Sequence, residues 1–379
     1  MKLNPESPFV LEPFVSRDLF CDREVETQTL KNLLFNGCNV SLISPRRLGK
    51  TGLIYRLFDE LSSEEAPYDT LFVDISSSQS LDDFVRLLSE SVVSGLKTQS
   101  KIRQFLKTLV QVHPMISYDA ITGQPQVTFL YHEETEKKQT LKSILDFLET
   151  RPQKVILAID EFQQVREYEG VNMEALLRTY IQPLHNVRFI FCGSKKHIMV
   201  DMFTNAKKPF YESTSFLFLD KLDIPTYSAF IRQKYAERGK TISDEMIEDI
   251  IHWTCGHTYY TQSLCNVLYM ISEKNISFEH LRRAKRYILQ SNTDRFLEIK
   301  RLITPSQWKM LKAVACEESV SHPTSSEFLG KYRISSGAAA LRNLKALLDK
   351  ELLLETTTLE STSYRVYNVF LSRYLQSLR

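Results

Sequence analysis

Short, mostly apolar runs punctuate the first part of this chain: Val40–Ile43, Thr70–Asp74, Val155–Ile159, Val187–Cys192 and Ser215–Leu219. Each is too short for a buried helix and predicts a strand. Apolar residues at successive positions fit a parallel sheet covered on both faces. Between these runs the apolar period lengthens to that of a helix. Val25–Phe35 follows Asp22, and an amphipathic run starts at Leu53. A helix capped by Ser80 is expected through Leu96 and on toward Val112, and another passes through Leu141, Ile144, Leu145 and Leu148. Residues up to Phe14 read as extended, with three prolines. One segment breaks the alternation. Met115–Asp119 and Gln126–Tyr131 flank Thr122-Gly123-Gln124-Pro125, which predicts a β-hairpin inserted at about residues 113–132, at the edge of the sheet.

From Thr226 onward the strand pattern stops. Helices are expected over Thr226–Arg238, Asp244–Trp253, Tyr259–Glu273 and Phe278–Ile299. The last eighty or so residues read as a third unit. Thr304-Pro305-Ser306-Gln307 is a capping box with proline at the first helical position. The helix it opens places Trp308, Leu311 and Val314 inward. Pro323–Glu327, with Thr324 as the cap, opens a second helix. Ser335 opens a third, with Leu341, Leu344, Leu347 and Leu348 inward. Glu351–Thr357 and Ser363–Tyr367 then read as extended runs around a polar turn. Three helices and a β-wing make a winged helix-turn-helix. The division expected is 1–223, 224–300 and 301–379.

Composition adds limits. A chain of 379 residues with 43% hydrophobic and 25% charged residues has the balance of a globular protein of two or three units. No apolar run reaches the roughly 18 residues of a membrane span. The start, Met1–Glu6, lacks the apolar core of a signal peptide. The 6 cysteines form no Cys-x-x-Cys pair and read as reduced, buried thiols of a cytoplasmic protein. The 8 histidines show no His-Glu-x-x-His spacing, so no structural metal is expected. Net charge is +2, unevenly spread: from Glu279 on, Lys and Arg number 17 against 10 Asp and Glu, leaving 31 against 36 before it. A basic last quarter on an acidic body points to an anionic partner or to ordinary solvated helix faces.

Two constellations carry the chemistry. The first is Ser44-Pro45-Arg46-Arg47-Leu48-Gly49-Lys50-Thr51, continued by Gly52, between a strand and a helix. That context is the one a phosphate-binding loop requires. Backbone N–H groups can cradle phosphate oxygens where the new helix presents its positive dipole end. Lys50 would reach the terminal phosphates, and Thr51 would offer its hydroxyl to Mg²⁺. Ser44 stands where the pattern has glycine. If that position needed positive φ, serine would cost roughly 1–2 kcal/mol. The second is Val155–Ile159 ending in Asp160-Glu161, two carboxylates at the C-terminal edge of a buried strand, where ligands of open α/β sheets bind. This is a Walker B arrangement. Asp160 would hold Mg²⁺, mostly through water, and Glu161 would orient and deprotonate the attacking water.

The order of these features resembles the archaeal-type ATPase family of P-loop proteins, in the STAND branch of the AAA+-like ATPases, over nearly the whole chain. It looks like the bacterial members described simply as ATP-binding proteins or predicted AAA ATPases. The resemblance implies an α/β P-loop core, a parallel sheet with helices on both faces and an inserted hairpin. An α-helical lid and a C-terminal winged helix follow. It implies that Phe20–Glu24, with Arg23, packs near the adenine. The strand ending Cys192-Gly193-Ser194-Lys195-Lys196 resembles a sensor-1 strand, with Ser194 contacting the γ-phosphate or the water. Lys195 or Lys196 would add charge there; the alternative is a solvated loop. Thr254-Cys255-Gly256-His257-Thr258 resembles the Gly-x-Pro lid motif, with Thr258 in the proline's place. Gly256 and His257 would then meet the nucleotide, though a buried histidine in a helix–helix turn fits equally. The arginine that relatives carry near the segment matching Pro209–Glu212 is absent, which leaves Arg178 and Arg188 as candidates for a finger. Arg342, Asn343 and Lys345 would lie on the outer part of the third winged helix, where DNA-binding relatives make base or phosphate contacts. Asp349 and Glu351 dilute that face, and winged helices also dock proteins.

Three functions remain: a slow ATPase acting as a switch, a DNA-binding regulator with ATP as structural ligand, and a non-hydrolysing ATP-binding interaction module. Intact Asp160-Glu161 favours the first over the third. The expected partners are ATP or ADP with Mg²⁺, DNA or a protein at the winged helix, no membrane, and further copies of the chain on ATP binding.

Overall fold

The computed structural model describes residues 7–63, 68–96, 98–131, 133–357 and 361–378. Met1–Glu6 and the tip of the wing lie outside these. Packing divides the chain into two compact units, residues 12–221 and residues 222–379 together with 1–11. The expected cut at 223 lies next to this division, and the one at 300 falls within the second unit. Phe9 belongs with the second unit, its ring 4.7 Å from Tyr235 and its carbonyl accepting from Asn266 Nδ2 at 2.7 Å.

The first unit runs α1 (Glu24–Phe35), β1 (Val40–Ile43), α2 (Lys50–Ser63), β2 (Tyr68–Asp74), α3 (Leu81–Gly95), α4 (Gln99–Thr108), β3 (Met115–Tyr118), β4 (Pro125–Thr128), α5 (Glu134–Glu149), β5 (Lys154–Asp160), α6 (Met173–Ile181), β6 (Val187–Gly193), α7 (Lys196–Thr204) and β7 (Ser215–Phe218). Five strands form one parallel sheet in the order β2-β5-β6-β1-β7. The two-residue period of β5 explains why the run is apolar throughout. Val155, Leu157 and Ile159 face one core, with Leu88, Leu145 and Leu177. Ile156 and Ala158 face the other, with Leu30, Leu53 and Leu57 of α1 and α2. The hairpin β3–β4 forms as expected but is a sheet of its own, packed on α3 rather than paired to the main sheet.

Two expected helices are broken by caps. Leu96 is extended and Thr98 caps a new helix, so α3 does not run on to Val112. In the second unit Asn292 returns its side-chain amide to Ile288 O at 2.8 Å and ends one helix as the next begins.

That unit contains α8 (Ile224–Glu237), α9 (Asp244–Trp253), α10 (Thr258–Ile271), α11 (Phe278–Ser291), α12 (Thr293–Arg301), α13 (Pro305–Glu317), α14 (Ser326–Lys331), α15 (Gly337–Asp349), β8 (Leu353–Thr357), β9 (Thr362–Val366) and α16 (Val369–Ser377). The capping box at Thr304 is formed as read. The caps expected at Thr324 and Ser335 fall one residue later, on Ser325 and Ser336. Trp308 is only half-buried. Leu341 is 53% exposed, because α15 buries Ala340, Leu344 and Leu347 on one stripe and Leu341 lies off it. The final helix α16 has no forerunner in the sequence reading. Its Arg373, 8% exposed, donates to the carbonyls of His252 and Trp253 at 3.0 and 2.8 Å. Phe370 packs on Trp253 and Tyr260, so α16 joins the winged helix to the helical segment. Of the cysteines expected to be buried, Cys21, Cys192 and Cys265 are, while Cys255 is exposed. Among the described residues no helix is long and apolar enough to cross a membrane.

Candidate nucleotide site

Sheet order brings distant segments together. β6 lies between β1 and β5, so the ends of these three strands, Ile43, Gly193 and Asp160, meet at one edge. The loop leaving β1 starts with Ser44 N–H donating to Gly193 O at 3.2 Å. Positive φ falls on Arg47 (66°) and Gly49 (100°), not on Ser44. The departure from glycine at Ser44 therefore carries no backbone strain. Its hydroxyl turns to the neighbouring Pro45 carbonyl at 3.1 Å. Pro45, Arg46, Arg47 and Leu48 form the turn before α2, with both arginines exposed and Leu48 buried. Gly52 is needed for packing: a Cβ there would meet Pro13 O at 2.3 Å and Phe20 Cε2 at 2.8 Å.

Lys50 and Thr51, in the first turn of α2, face the two carboxylates. Lys50 Nζ lies 2.6 Å from Asp160 Oδ1 and 3.3 Å from Glu161 Oε1. Thr51 Oγ1 donates to Asp160 Oδ2 at 3.0 Å. Glu161 is left-handed at φ 54°, a conformation costing about 1–3 kcal/mol that clusters at functional sites. Its N–H donates to Asp160 Oδ1 at 2.9 Å. Ser194, just past β6, donates to Glu161 Oε2 at 2.6 Å, and Gln163 Nε2 donates to the same oxygen. Burial alone would push Glu161 up. The Lys50 ammonium and the Ser194 and Gln163 hydrogen bonds outweigh it and hold the carboxyl below its ordinary range. Burial likewise opposes the charge on Lys50, and Asp160 and Glu161 reverse that effect and raise it. One cation, two carboxylates and two hydroxyls thus meet at a helix N-terminus, a set suited to phosphate and a divalent cation.

Residues 20–264 match the profile of a family described as an ATPase domain predominantly from Archaea. The chain belongs to this family. Residues 294–377 of the archaeal-type ATPase match a probable winged helix domain. Among solved structures it is similar to the Walker-type ATPase PABY2304 of Pyrococcus abyssi, at 17% identity and TM-score 0.65, covering 97% of this chain and 99% of that one. It is similar to the ORC2 protein of Aeropyrum pernix in ADPNP–ADP complexes, at 14% identity and TM-score 0.59, covering 98% and 96%. The Aeropyrum pernix ORC1 protein in complex with DNA matches at 14% identity and TM-score 0.55, again covering 98% and 96%. At these identities the likeness establishes the fold. Among curated proteins no significant sequence match is found.

Other candidate residues of this ATPase lie in different local settings. Arg23 is 4% exposed, and its guanidinium is taken up by Glu26 at 2.6 Å and by the Asp220 carbonyl. It clasps the start of α1 to the end of β7 rather than projecting toward a ligand. Lys195 and Lys196 begin α7 instead of a loop, and Lys196 Nζ lies 5.2 Å from the Phe218 ring centre. Arg188 is at the start of β6, the opposite end of that strand from Ser194, and donates to the Val187 carbonyl at 3.0 Å. Arg178 is in the second half of α6, which runs back toward that same end. Neither serves this site within one chain. Gly256, at φ 61°, closes α9 with its N–H on Ile251 O at 2.7 Å. His257 stands at the N-cap of α10, its ring 4.7 Å from Tyr260. Thr258 is the first residue of that helix, the position where proline is tolerated, so its departure from the lid motif leaves the helix start intact.

On the winged helix, Arg342 and Lys345 are exposed on α15, while Asn343 accepts from Ser306 Oγ at 3.3 Å. Gln163 is the site residue that sequence reasoning missed. It is 5% exposed, on a 3-10 turn after Glu161. Its one local signal is a polar side chain between Phe162 and Val165, both buried.

Proposed function

We propose that this ATPase is a magnesium-dependent nucleotide switch that hydrolyses ATP slowly and couples its nucleotide state to the C-terminal winged helix. The carrying observation is Lys50 within ion-pair reach of Asp160 and Glu161, with Thr51 on Asp160. Phosphate oxygens would compete with the carboxylates for the Lys50 ammonium. Glu161 would keep Ser194 and Gln163 as partners and remain an ionised base, able to accept the proton of an attacking water. Ser194 would fix the direction of that carboxylate. The adjacent oxygens of Thr51 and Asp160 fit a hard divalent cation, and bound Mg²⁺ would neutralise charge developing on the transferred phosphate. Support for nucleotide as the ligand comes from the ORC2 relative, solved in ADPNP–ADP complexes.

Coupling is supported inside the second unit. Arg373 ties α16 to the end of α9, immediately before the Gly256-His257 turn. A displacement of that turn would carry the winged helix with it. The test is ATP turnover with and without duplex DNA, on wild type and Glu161→Gln. Turnover that is absent in wild type would hand the site to the non-hydrolysing reading.

A second reading, a DNA-binding regulator with ATP as structural ligand, is favoured by Arg342 and Lys345 standing exposed on α15. The ORC1 relative was solved with DNA. Turnover unaffected by DNA, together with DNA binding unaffected by ATP, would favour it over the switch.

A further inference from the structure

The inserted hairpin has two unlike edges. Along β4 the outer edge is closed. Pro125 has no N–H to offer, and Val127 N–H donates to Glu90 Oε1 at 3.2 Å. Along β3 it is open. Asp119 N–H donates to Gln124 O at 2.9 Å, which makes these two a hydrogen-bonded pair. The antiparallel alternation then makes Tyr118–Pro125 and Ile116–Val127 the non-bonded pairs, so the N–H and C=O of Ile116 and Tyr118 point away from β4. Neither residue is bonded to any described residue outside the hairpin. The run Met115–Tyr118 contains no charge, proline or bulge, the devices that ordinarily blunt a free edge.

The surroundings of that edge are apolar and basic. Met115 is 54% exposed, Tyr118 60% and Ile121 95%. A shallow, open hollow of about 360 Å³ lined by Leu106, Lys107, His113, Pro114 and Met115 adjoins the start of the strand. Lys107 of α4, which also lines this hollow, stands exposed. Among the described residues it makes no ion pair with a carboxylate. The one carboxylate of the hairpin, Asp119, is held by the N–H groups of Ile121 and Thr122 at 3.0 and 2.7 Å.

We infer that the outer edge of β3 docks an extended peptide segment of a protein partner, rich in apolar and acidic side chains, which adds to the hairpin as a third strand. The main-chain groups of Ile116 and Tyr118 supply its hydrogen bonds. The hollow beside Met115 takes one apolar side chain, and Lys107 at its rim faces an acidic one. This surface lies apart from the nucleotide chemistry and does not depend on it.

The test pans the full chain against a phage-displayed library of random dodecapeptides and measures the enriched peptides, synthesised, by fluorescence anisotropy. The expected winners combine apolar residues with Asp or Glu. They should lose at least about tenfold in affinity toward Tyr118→Pro, which removes an edge donor, and toward Lys107→Glu. Backbone N-methylation of the peptide should abolish binding. Unchanged circular dichroism and ATP binding in Tyr118→Pro would show that the variant folds. Should Tyr118→Pro not fold, the N-methylated peptide decides the matter on wild type alone. No enriched sequence, or peptides indifferent to N-methylation, would overturn the proposal. So would retention of a duplex DNA probe that the charge reversal abolishes in the absence of any peptide binding.

Discussion

The nucleotide site and the outer face of α15 use the same kinds of charged residue in opposite settings. Lys50 is 7% exposed and lies between two carboxylates from a strand more than a hundred residues away. Arg342 and Lys345 project from neighbouring turns of a single helix, exposed to solvent. In the first setting every partner is fixed by the fold, and removing one leaves a buried charge uncompensated. In the second the charges act through a field that salt screens within about 10 Å at 0.1 M. Burial, more than residue type, thus separates a site built for local chemistry from a surface suited to attraction at a distance.

The largest expected effect tests the buried side. Lys50→Ala should abolish ATP–Mg²⁺ binding in calorimetry, and turnover with it, because phosphate charge is left unpaired. Unchanged affinity would remove the nucleotide assignment. Glu161→Gln should be more selective. It should retain nucleotide affinity and lower turnover by about 10²–10⁴-fold, the range expected for loss of a general base. Equal losses in affinity and turnover would instead make Glu161 a structural partner of Lys50.

On the exposed side, Arg342→Ala and Lys345→Ala should each weaken binding to duplex DNA by about 1–3 kcal/mol if a base is read, and by less if only phosphate is met. The wild-type affinity should fall steeply with salt as counterions are released. DNA binding that ignores both salt and these substitutions would leave a protein as the partner of this face.

The smallest effect is in stability against pH. Glu161 is held below its ordinary value of 4.5 in the folded chain. Its stabilisation is therefore complete above the unfolded value and lost as pH falls through the folded one. Thermal melts without nucleotide should show wild type above Glu161→Gln at neutral pH, with the gap narrowing below about pH 4.5. A gap constant down to acid pH would mean that the carboxylate charge adds nothing to the fold.

Local order was largely legible in the sequence, because caps and periodicity act over a few residues. The strand Val155–Asp160, the loop before Lys50 and the capping box at Thr304 appear where the pattern placed them. Splits such as the one at Asn292 were missed because a single side-chain cap interrupts an unbroken apolar period. What the sequence by itself determined, then, was the set of elements and the reactive residues at their ends. Tertiary structure alone decided which of those ends meet. β6 inserts between β1 and β5, so Ser194 reaches Glu161 while Arg188, on the same strand, is carried to the far end. Gln163 joins the site, Arg23 is spent on Glu26 and Asp220, and Ser44 escapes strain because Arg47 and Gly49 take the positive φ. The physical reason is one of range. Propensity and capping are settled between neighbours in sequence, whereas charge pairing depends on distances of about 3–4 Å that only the order of strands in the sheet can set.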